Sequence, residues 1–249
     1  MQAVHYLEKE HTRFKRGRGW KINLFGQNSD VPTKELQAFR IDMSANMQLD
    51  SHFHVVDQFQ IFIAGSGTIG RHDAGMVTAH YADHHTGYGP LIAGDQGMSY
   101  LTLRSKSDAG LVKLSTPNVR EQLKPTKRRH RVSSHVVLSI PPVLAHIEAP
   151  VVQTVMEEKE GDDGMTVKVI RLGADKETPA PATSNTGGYF IIVMNGSINH
   201  AGELYEPWSL LWVGHEETPP ILKAATLGAE IMIAIFPRRD EWMNALGEA

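Results

Sequence analysis

Short apolar runs separated by glycine-containing turns dominate this sequence, and few segments sustain the period of an amphipathic helix. The runs of strand length are residues 36–43, 58–64, 98–103, 135–140, 165–172, 189–194, 210–213 and 230–236. Two segments, 119–123 and 239–246, have a pattern that favours a short helix. Many short strands with regular turns predict an all-β protein, either a sandwich or a barrel.

Length and composition exclude several classes of protein. The 249 residues are enough for one large domain or two small ones, and no apolar run reaches the ~20 residues of a membrane helix. The polar start, with Glu8, Lys9 and Glu10, lacks the apolar stretch of an export signal, so we expect a cytoplasmic protein. A net charge of -3 gives no general attraction to nucleic acid. The absence of cysteine excludes disulfides, thiolate nucleophiles and iron-sulfur clusters.

The chain contains a weak internal repeat. Residues 62–69 and 192–198 share one layout, an apolar run followed by a glycine turn and a second strand. We therefore expect an N-terminal extension (1–34), a first domain (35–104), a basic linker (105–134), a second domain (135–238) and a C-terminal helix (239–249). The stretch 104–131 carries nine Lys and Arg residues, and such a run is more often a solvated linker than a nucleic-acid site.

Histidines are clustered in the first predicted domain. Six of the 13 lie within 34 residues, namely His52, His54, His72, His80, His84 and His85. In a strand, residues i and i+2 project from one face, so the imidazoles of His52 and His54 can reach one ion. A tight turn after His54 would bring the amide oxygen of Gln58 beside them. The alternative is a polar strand surface, and we expect His72 and His80 to lie in a hairpin or at a pocket rim.

These residues resemble the first motif of the cupins. That motif has a His-x-His pair, a carboxylate or glutamine a few residues later and then a glycine, which His52, His54, Gln58 and Gly65 match. The resemblance implies a small antiparallel jelly-roll barrel with a metal ion inside its mouth. The internal repeat then implies two tandem jelly-roll β-barrels, a bicupin. The resemblance covers roughly residues 35–104 and 160–238.

The first barrel departs from the family pattern at the fourth metal ligand. Where the family has a histidine, the sequence has Tyr88, and His85 comes three residues earlier. Either residue could complete the metal shell or transfer a proton, or water could fill the position, and we expect Asp57 to support the site from behind. With Gln58 in place of glutamate the ligand set is neutral, which favours one divalent transition metal, Fe, Mn, Ni, Zn or Co, over Ca or Mg.

The second predicted barrel lacks the motif. Thr183, Asn185 and Tyr189 occupy the positions that correspond to His52, His54 and Gln58. No metal triad can form from these three side chains. We therefore expect the chemistry in the first barrel.

The family resemblance implies dioxygenases, isomerases, decarboxylases and epimerases that act on small oxygenated molecules. We expect a metal-dependent enzyme with a small organic substrate, and neither a nucleic-acid nor a membrane partner. A non-catalytic protein that binds or senses a small ligand is the first alternative, and a structural subunit is the second. Exposed edge strands leave a homodimer open.

Overall fold

The computed structural model describes residues 1–27, 31, 33–157 and 163–238. The helix expected at 239–246 lies outside the described residues. Among those described, no helix is long and apolar enough to cross a membrane. Strands account for most of the regular structure, which confirms the all-β prediction.

The elements of the described chain alternate between short and long strands. In chain order the strands are β1 (Gln2–Val4), β2 (Phe14–Arg16), β3 (Gly19–Phe25), β4 (Gln37–Met43), β5 (Gln48–Leu49), β6 (His52–Phe53), β7 (Gln58–Ile69), β8 (His72–Gly75), β9 (Ala79–Ala82), β10 (Leu91–Arg104), β11 (Val112–Lys113), β12 (His130–Val132), β13 (Val151–Glu157), β14 (Thr166–Leu172), β15 (Glu177–Pro179), β16 (Thr186–His200), β17 (Glu203–Tyr205), β18 (Leu210–Val213) and β19 (Ile221–Pro237). The α-helices are α1 (Tyr6–Glu10) and α2 (Pro141–Ala145), and Val119–Gln122 forms a 3-10 turn.

The contacts divide the described chain into two compact units. One is Thr12–Val136, and the other joins Met1–His11 to the chain from Val137 onwards. These units depart from the predicted boundaries because two short strands outside the predicted barrels complete sheets. Strand β1 pairs with β18, and β12, from the predicted linker, pairs with β9.

The unit Thr12–Val136 is built on an antiparallel sheet with the strand order β12-β9-β7-β10-β4-β3-β2. The register aligns polar side chains across neighbouring strands. Gln60 of β7 lies opposite both His80 of β9 and Thr102 of β10, and Arg104 of β10 lies opposite Gln37 of β4. Because side chains alternate along a strand, these residues share one face of the sheet.

The second unit is built on an antiparallel sheet with the order β1-β18-β16-β19-β14-β13. Its core is apolar, with Ile191 and Val193 of β16 packed among Ile231, Ile233 and Ile235 of β19. The two units therefore bury side chains of different chemistry.

The repeat recurs in the backbone of both units at matching glycines. Gly65 has φ +69° and a Cβ there would lie 2.2 Å from the carbonyl oxygen of Gly97, while Gly196 has φ +66° and a Cβ there would lie 2.0 Å from that of Gly228. A left-handed backbone with no room for a Cβ requires glycine. The same bend thus occurs at the same place in each half of the chain.

Seven of the eight predicted strands form, and one prediction is wrong. Residues 135–140, all described, form no strand, because Pro141 and Pro142 follow them and begin α2. Proline lacks the N–H that a ladder needs, and it suits the first turn of a helix. The backbone N–H of Ser139 instead donates to the carboxylate of Glu230. The helix predicted at 119–123 is the short 3-10 turn.

Candidate functional site

The interior of the unit Thr12–Val136 holds a buried polar cluster formed by side chains of β4, β6, β7, β9, β10 and the segments that follow them. Gln58 is 1% exposed and Arg104 is 3% exposed. Burying such groups costs free energy unless each is hydrogen-bonded. The partners of each side chain therefore define what the cluster can do.

The ring of His52 is held in one orientation. Its Nδ1 lies 2.7 Å from the carbonyl oxygen of Asp50, so Nδ1 carries the proton and donates. Its Nε2, left with the lone pair, lies 3.0 Å from the hydroxyl of Tyr88. Burial lowers the pKa of His52, and the ring is neutral at pH 7.

His54 forms a buried pair with Asp108. Its Nδ1 lies 2.5 Å from Oδ2 of Asp108. Burial and the nearby Arg104 guanidinium lower the pKa of His54 to about 3, so this ring is also neutral. Burial alone would raise the pKa of Asp108, but the hydrogen bond from His54 and the charge of Arg104 outweigh it and lower that pKa. The ionised carboxylate of Asp108 thus accepts a hydrogen bond from the protonated Nδ1 of the neutral His54 ring.

Arg104 places its guanidinium between the predicted ligands. Nε and Nη2 donate to Oε1 of Gln58 at 3.1 and 2.8 Å. Nη1 donates to Oε1 of Gln37 at 2.6 Å and lies 3.3 Å from Oδ2 of Asp108. Nη2 also faces His54, 3.0 Å from Nδ1 and 3.2 Å from Nε2, and Nε2 is the acceptor because Nδ1 already donates to Asp108. All five N–H groups of Arg104 are therefore engaged.

Tyr88 lies where the resemblance placed the fourth ligand. Its backbone bridges to His52, and its hydroxyl receives a short hydrogen bond from Nε2 of Gln58. Burial raises the pKa of Tyr88, so the phenol stays protonated and donates to Nε2 of His52. The structure thus brings together four of the predicted site residues, His52, His54, Gln58 and Tyr88.

The structure does not bring His85 and Asp57 into this cluster. The ring of His85 lies 5.5 Å from that of Phe53, and only its backbone N–H reaches the carbonyl oxygen of His54. The carboxylate of Asp57 accepts from the backbone and Nδ1 of His84 at 2.8 and 2.9 Å. Asp108, not Asp57, therefore supports His54.

A second group of histidines lies on the other side of the Tyr88 ring. The ring centroid of His80 lies 4.7 Å from that of Tyr88 and 4.8 Å from that of His130. Nδ1 of His80 donates to Oε1 of Gln60 at 2.8 Å. Nε2 of His80 and Nε2 of His130 are buried, and no described residue hydrogen-bonds to either atom. We call His80 and His130 the imidazole pair.

Sequence reasoning missed Arg104, Asp108 and His130 as members of the site. Arg104 continues the inward alternation of β10 after Tyr100 and Thr102, which is the one signal that could have identified it. Asp108 and His130 lie in the segment predicted to be a solvated linker. Nothing local in the sequence shows that this segment covers the barrel interior.

The predicted trio of His52, His54 and Gln58 meets only part of what a divalent ion requires. The two neutral imidazoles have suitable tautomers, because each Nδ1 is held and each Nε2 carries a lone pair. The amide does not fit, because Oε1 of Gln58 already accepts two N–H groups from a cationic guanidinium. As they stand, these residues do not fit the metal that the resemblance implies.

Comparisons with solved structures agree on the fold. No protein-family model and no curated protein matches the chain in sequence. A bacterial pirin from Escherichia coli, solved in complex with nickel(II), matches with a TM-score of 0.58 and 10% identity over 96% of this chain and 99% of its own. The oxalate decarboxylase formate complex from Lactobacillus farciminis gives a TM-score of 0.57 and 10% identity over 96% and 87%.

A cupin 2 conserved barrel domain protein from Leptotrichia buccalis gives a TM-score of 0.51 and 8% identity over 94% of this chain and 96% of its own. At these identities the likeness concerns the fold. We call the unit Thr12–Val136 the first barrel and the other unit the second barrel. The chain has the cupin fold in its two-barrel form, that of a bicupin.

Proposed function

We propose that the first barrel binds a small oxygenated anion, such as a carboxylate, with Arg104 as its positive charge. The observation that carries the proposal is a guanidinium buried inside a barrel together with a protonated phenol and two neutral imidazoles. Such a set offers hydrogen-bond donors to an anion, which would compete with the Asp108 carboxylate, 3.3 Å away, for the guanidinium. The ligand chemistry agrees with the small oxygenated molecules that the resemblance implies.

The second barrel supplies a comparison within the same chain. Tyr189 of β16 and Ile235 of β19 lie opposite each other there, at the positions that correspond through the repeated glycines to Gln58 and Arg104. In the second barrel, the same glycine bend and the same strand pairing therefore form with an apolar residue, Ile235, at the position of Arg104. Because replacing a buried charged network by apolar side chains is often neutral or stabilising, the buried Arg104 is weak evidence for a role in stability, and this supports a role in binding a ligand.

Binding would exchange weak acceptors of Arg104 for a stronger one. The oxygens of Gln58 and Gln37 are neutral, whereas a carboxylate is charged and can accept two parallel N–H bonds. Tyr88 would donate its proton to the same ligand.

The test is calorimetric titration of chelator-treated protein with a panel of small mono- and dicarboxylates. We expect a carboxylate to bind to the wild-type protein. Its affinity for Arg104→Gln should be at least tenfold lower, and its affinity for Arg129→Gln should equal that for the wild type. Arg129 is the matched control, because it forms a buried ion pair with Asp83 in the same barrel. The neutral amide analogue should not bind. Equal affinity for acid and amide, undiminished binding to Arg104→Gln, or no binding by any member of the panel would refute the proposal.

A metal-dependent enzyme that acts on a small oxygenated substrate is the second candidate. The tautomers and neutral charge of His52 and His54 favour it, whereas Arg104 opposes it. Elemental mass spectrometry of protein purified without an affinity tag tests it. About one equivalent of Fe, Mn, Ni, Zn or Co that disappears in His52→Ala/His54→Ala would support this candidate. Metal content that the double variant leaves unchanged would remove it.

We also propose that the protein forms a homodimer through β13 of the second barrel. This strand ends its sheet, and Val151 and Val152 are 47% and 55% exposed. Edge strands with exposed apolar side chains tend to pair. Light scattering after size-exclusion chromatography should give twice the chain mass of 27.6 kDa, and a single chain mass would refute the dimer.

A further inference from the structure

The imidazole pair, His80 and His130, lies on the interior face of the first barrel. Strand β12 pairs with β9 so that His80 is opposite Val132 and His130 is opposite Ala82. His130 lies two residues before Val132 on the same strand, so its side chain is on the same face of the sheet as that of His80. His80 also shares this face with Gln60 across the ladder to β7. Two imidazoles from different strands therefore meet inside the barrel.

Both rings have an unsatisfied nitrogen. Nδ1 of His80 donates to the amide oxygen of Gln60, so the lone pair of His80 is on Nε2, and this side chain is fully buried. Within the described chain, neither this Nε2 nor that of His130 has a hydrogen-bond partner. Buried polar atoms are nearly always paired, by protein, water or a bound group. The two unpaired nitrogens on adjacent rings are therefore free to bind water or another ligand.

We propose that His80 and His130 bind one divalent transition-metal ion, of the class of Zn, Ni or Co. The proposal is independent of anion binding at Arg104 and of an ion at His52 and His54. Of the two proposed ligands, His80 was expected in a hairpin or at a pocket rim, and His130 lies in the segment predicted to be a linker. Neither belongs to the motif on which the resemblance rests.

The separation of the rings suits one shared ion. An ion about 2.1 Å from an imidazole nitrogen lies about 3.2 Å from the ring centroid. With Nε2 of both rings turned toward the ion, rings with centroids 4.8 Å apart would subtend an angle of about 97° at it. This angle lies between the octahedral and tetrahedral values. The rings are also nearly perpendicular, at 82°, so they do not stack on each other.

The charge state of the pair favours a metal over an anion. Burial lowers the pKa of His80 and of His130, so both rings are neutral and offer lone pairs. Neutral imidazole binds Zn, Ni and Co, whereas Ca and Mg prefer oxygen. Because the described residues hold no group of three such ligands, water or a ligand oxygen would fill the other positions. His72, whose ring centroid is 5.7 Å from that of His130, is the next nearest imidazole of the group.

The experiment measures metal binding to chelator-treated, tag-free protein. Titration with Co²⁺ followed by visible absorption, and with Zn²⁺ and Ni²⁺ by calorimetry, gives stoichiometry and affinity. We expect about one equivalent to bind, and at least tenfold weaker binding to His80→Asn and to His130→Asn. His215→Asn, which removes an exposed imidazole from the second barrel, should bind like the wild type. His52→Asn should also retain the ion.

Three results would overturn the proposal: no binding by the wild type, unchanged affinity in His80→Asn and His130→Asn, or loss of the ion in His52→Asn alone. Where a variant does not fold, nitrogen-15 NMR of the wild-type imidazoles decides. Zinc should shift the Nε2 resonances of His80 and His130, and shifts confined to other histidines would refute the site. The carboxylate titration is done without metal, so failure of either proposal leaves the other intact.

Discussion

Removing the guanidinium of Arg104 should allow a divalent ion to bind at the predicted trio. An ion about 2.1 Å from Nε2 of His54 would lie within about 5 Å of Nη2, which is 3.2 Å from that nitrogen. Charges of +2 and +1 about 5 Å apart at an effective dielectric constant of about 20 repel by about 7 kcal/mol. The Asp108 carboxylate, which accepts from Nδ1 of the same ring, attracts the ion and offsets most of this repulsion, so we expect a gain of at least tenfold in affinity in Arg104→Met.

The assay is the metal titration described above, applied to Arg104→Met. The variant should gain one equivalent of Zn²⁺ or Co²⁺ beyond the wild type, and the gain should disappear when His52 and His54 are also replaced by alanine. Arg129→Met, which breaks another buried ion pair in the same barrel, should gain no ion. If Arg104→Met is too unstable, Arg104→Gln retains hydrogen-bonding capacity and serves instead. Equal metal content in Arg104→Met, Arg104→Gln and the wild type would refute the electrostatic reasoning.

Three further predictions concern stability. His54 has a pKa of about 3 in the folded protein against 6.5 in a free side chain, so its contribution is present above pH 6.5 and falls by about 1.4 kcal/mol per pH unit below it. Urea unfolding between pH 7 and pH 5 should show this loss, and His54→Asn should show a shallower slope. Gly65→Ala should lower the melting temperature by several degrees, because its Cβ would meet the Gly97 carbonyl; an unchanged melting point would contradict this. Glu230→Ala should cost about 3 kcal/mol or more in urea unfolding, because the fully buried Glu230 binds Ser139, Arg171 and Asn195; a loss below about 1 kcal/mol would contradict that role.

Local patterns in the sequence were sufficient for the strands and for part of the site. Alternating apolar residues and glycine turns predicted seven strands, because both signals act within a few residues. The spacing of His52 and His54 placed two rings on one face, and this depends on period alone. The resemblance to the cupins implied Tyr88 at the position of the fourth ligand, beside His52.

The remaining features of the site depend on contacts between distant parts of the chain. Asp108 supports His54 across 54 positions, and Arg104 reaches Gln37 across 67. Asp57, adjacent to Gln58, was the expected support, but its carboxylate faces His84 instead. No periodicity marks such partners, because they are determined by which loop covers the barrel interior.

The pairing of β1 with β18 makes the second barrel a discontinuous domain that carries the first barrel as an insertion. The backbone N–H of Tyr6 donates to the hydroxyl of Ser209, 203 positions later in the chain. At roughly 5–20 residues per second, a ribosome takes roughly 10–40 s to deliver the strand that β1 must join. The first barrel can therefore complete its sheet on the ribosome, while the opening strand of the second waits for its partner.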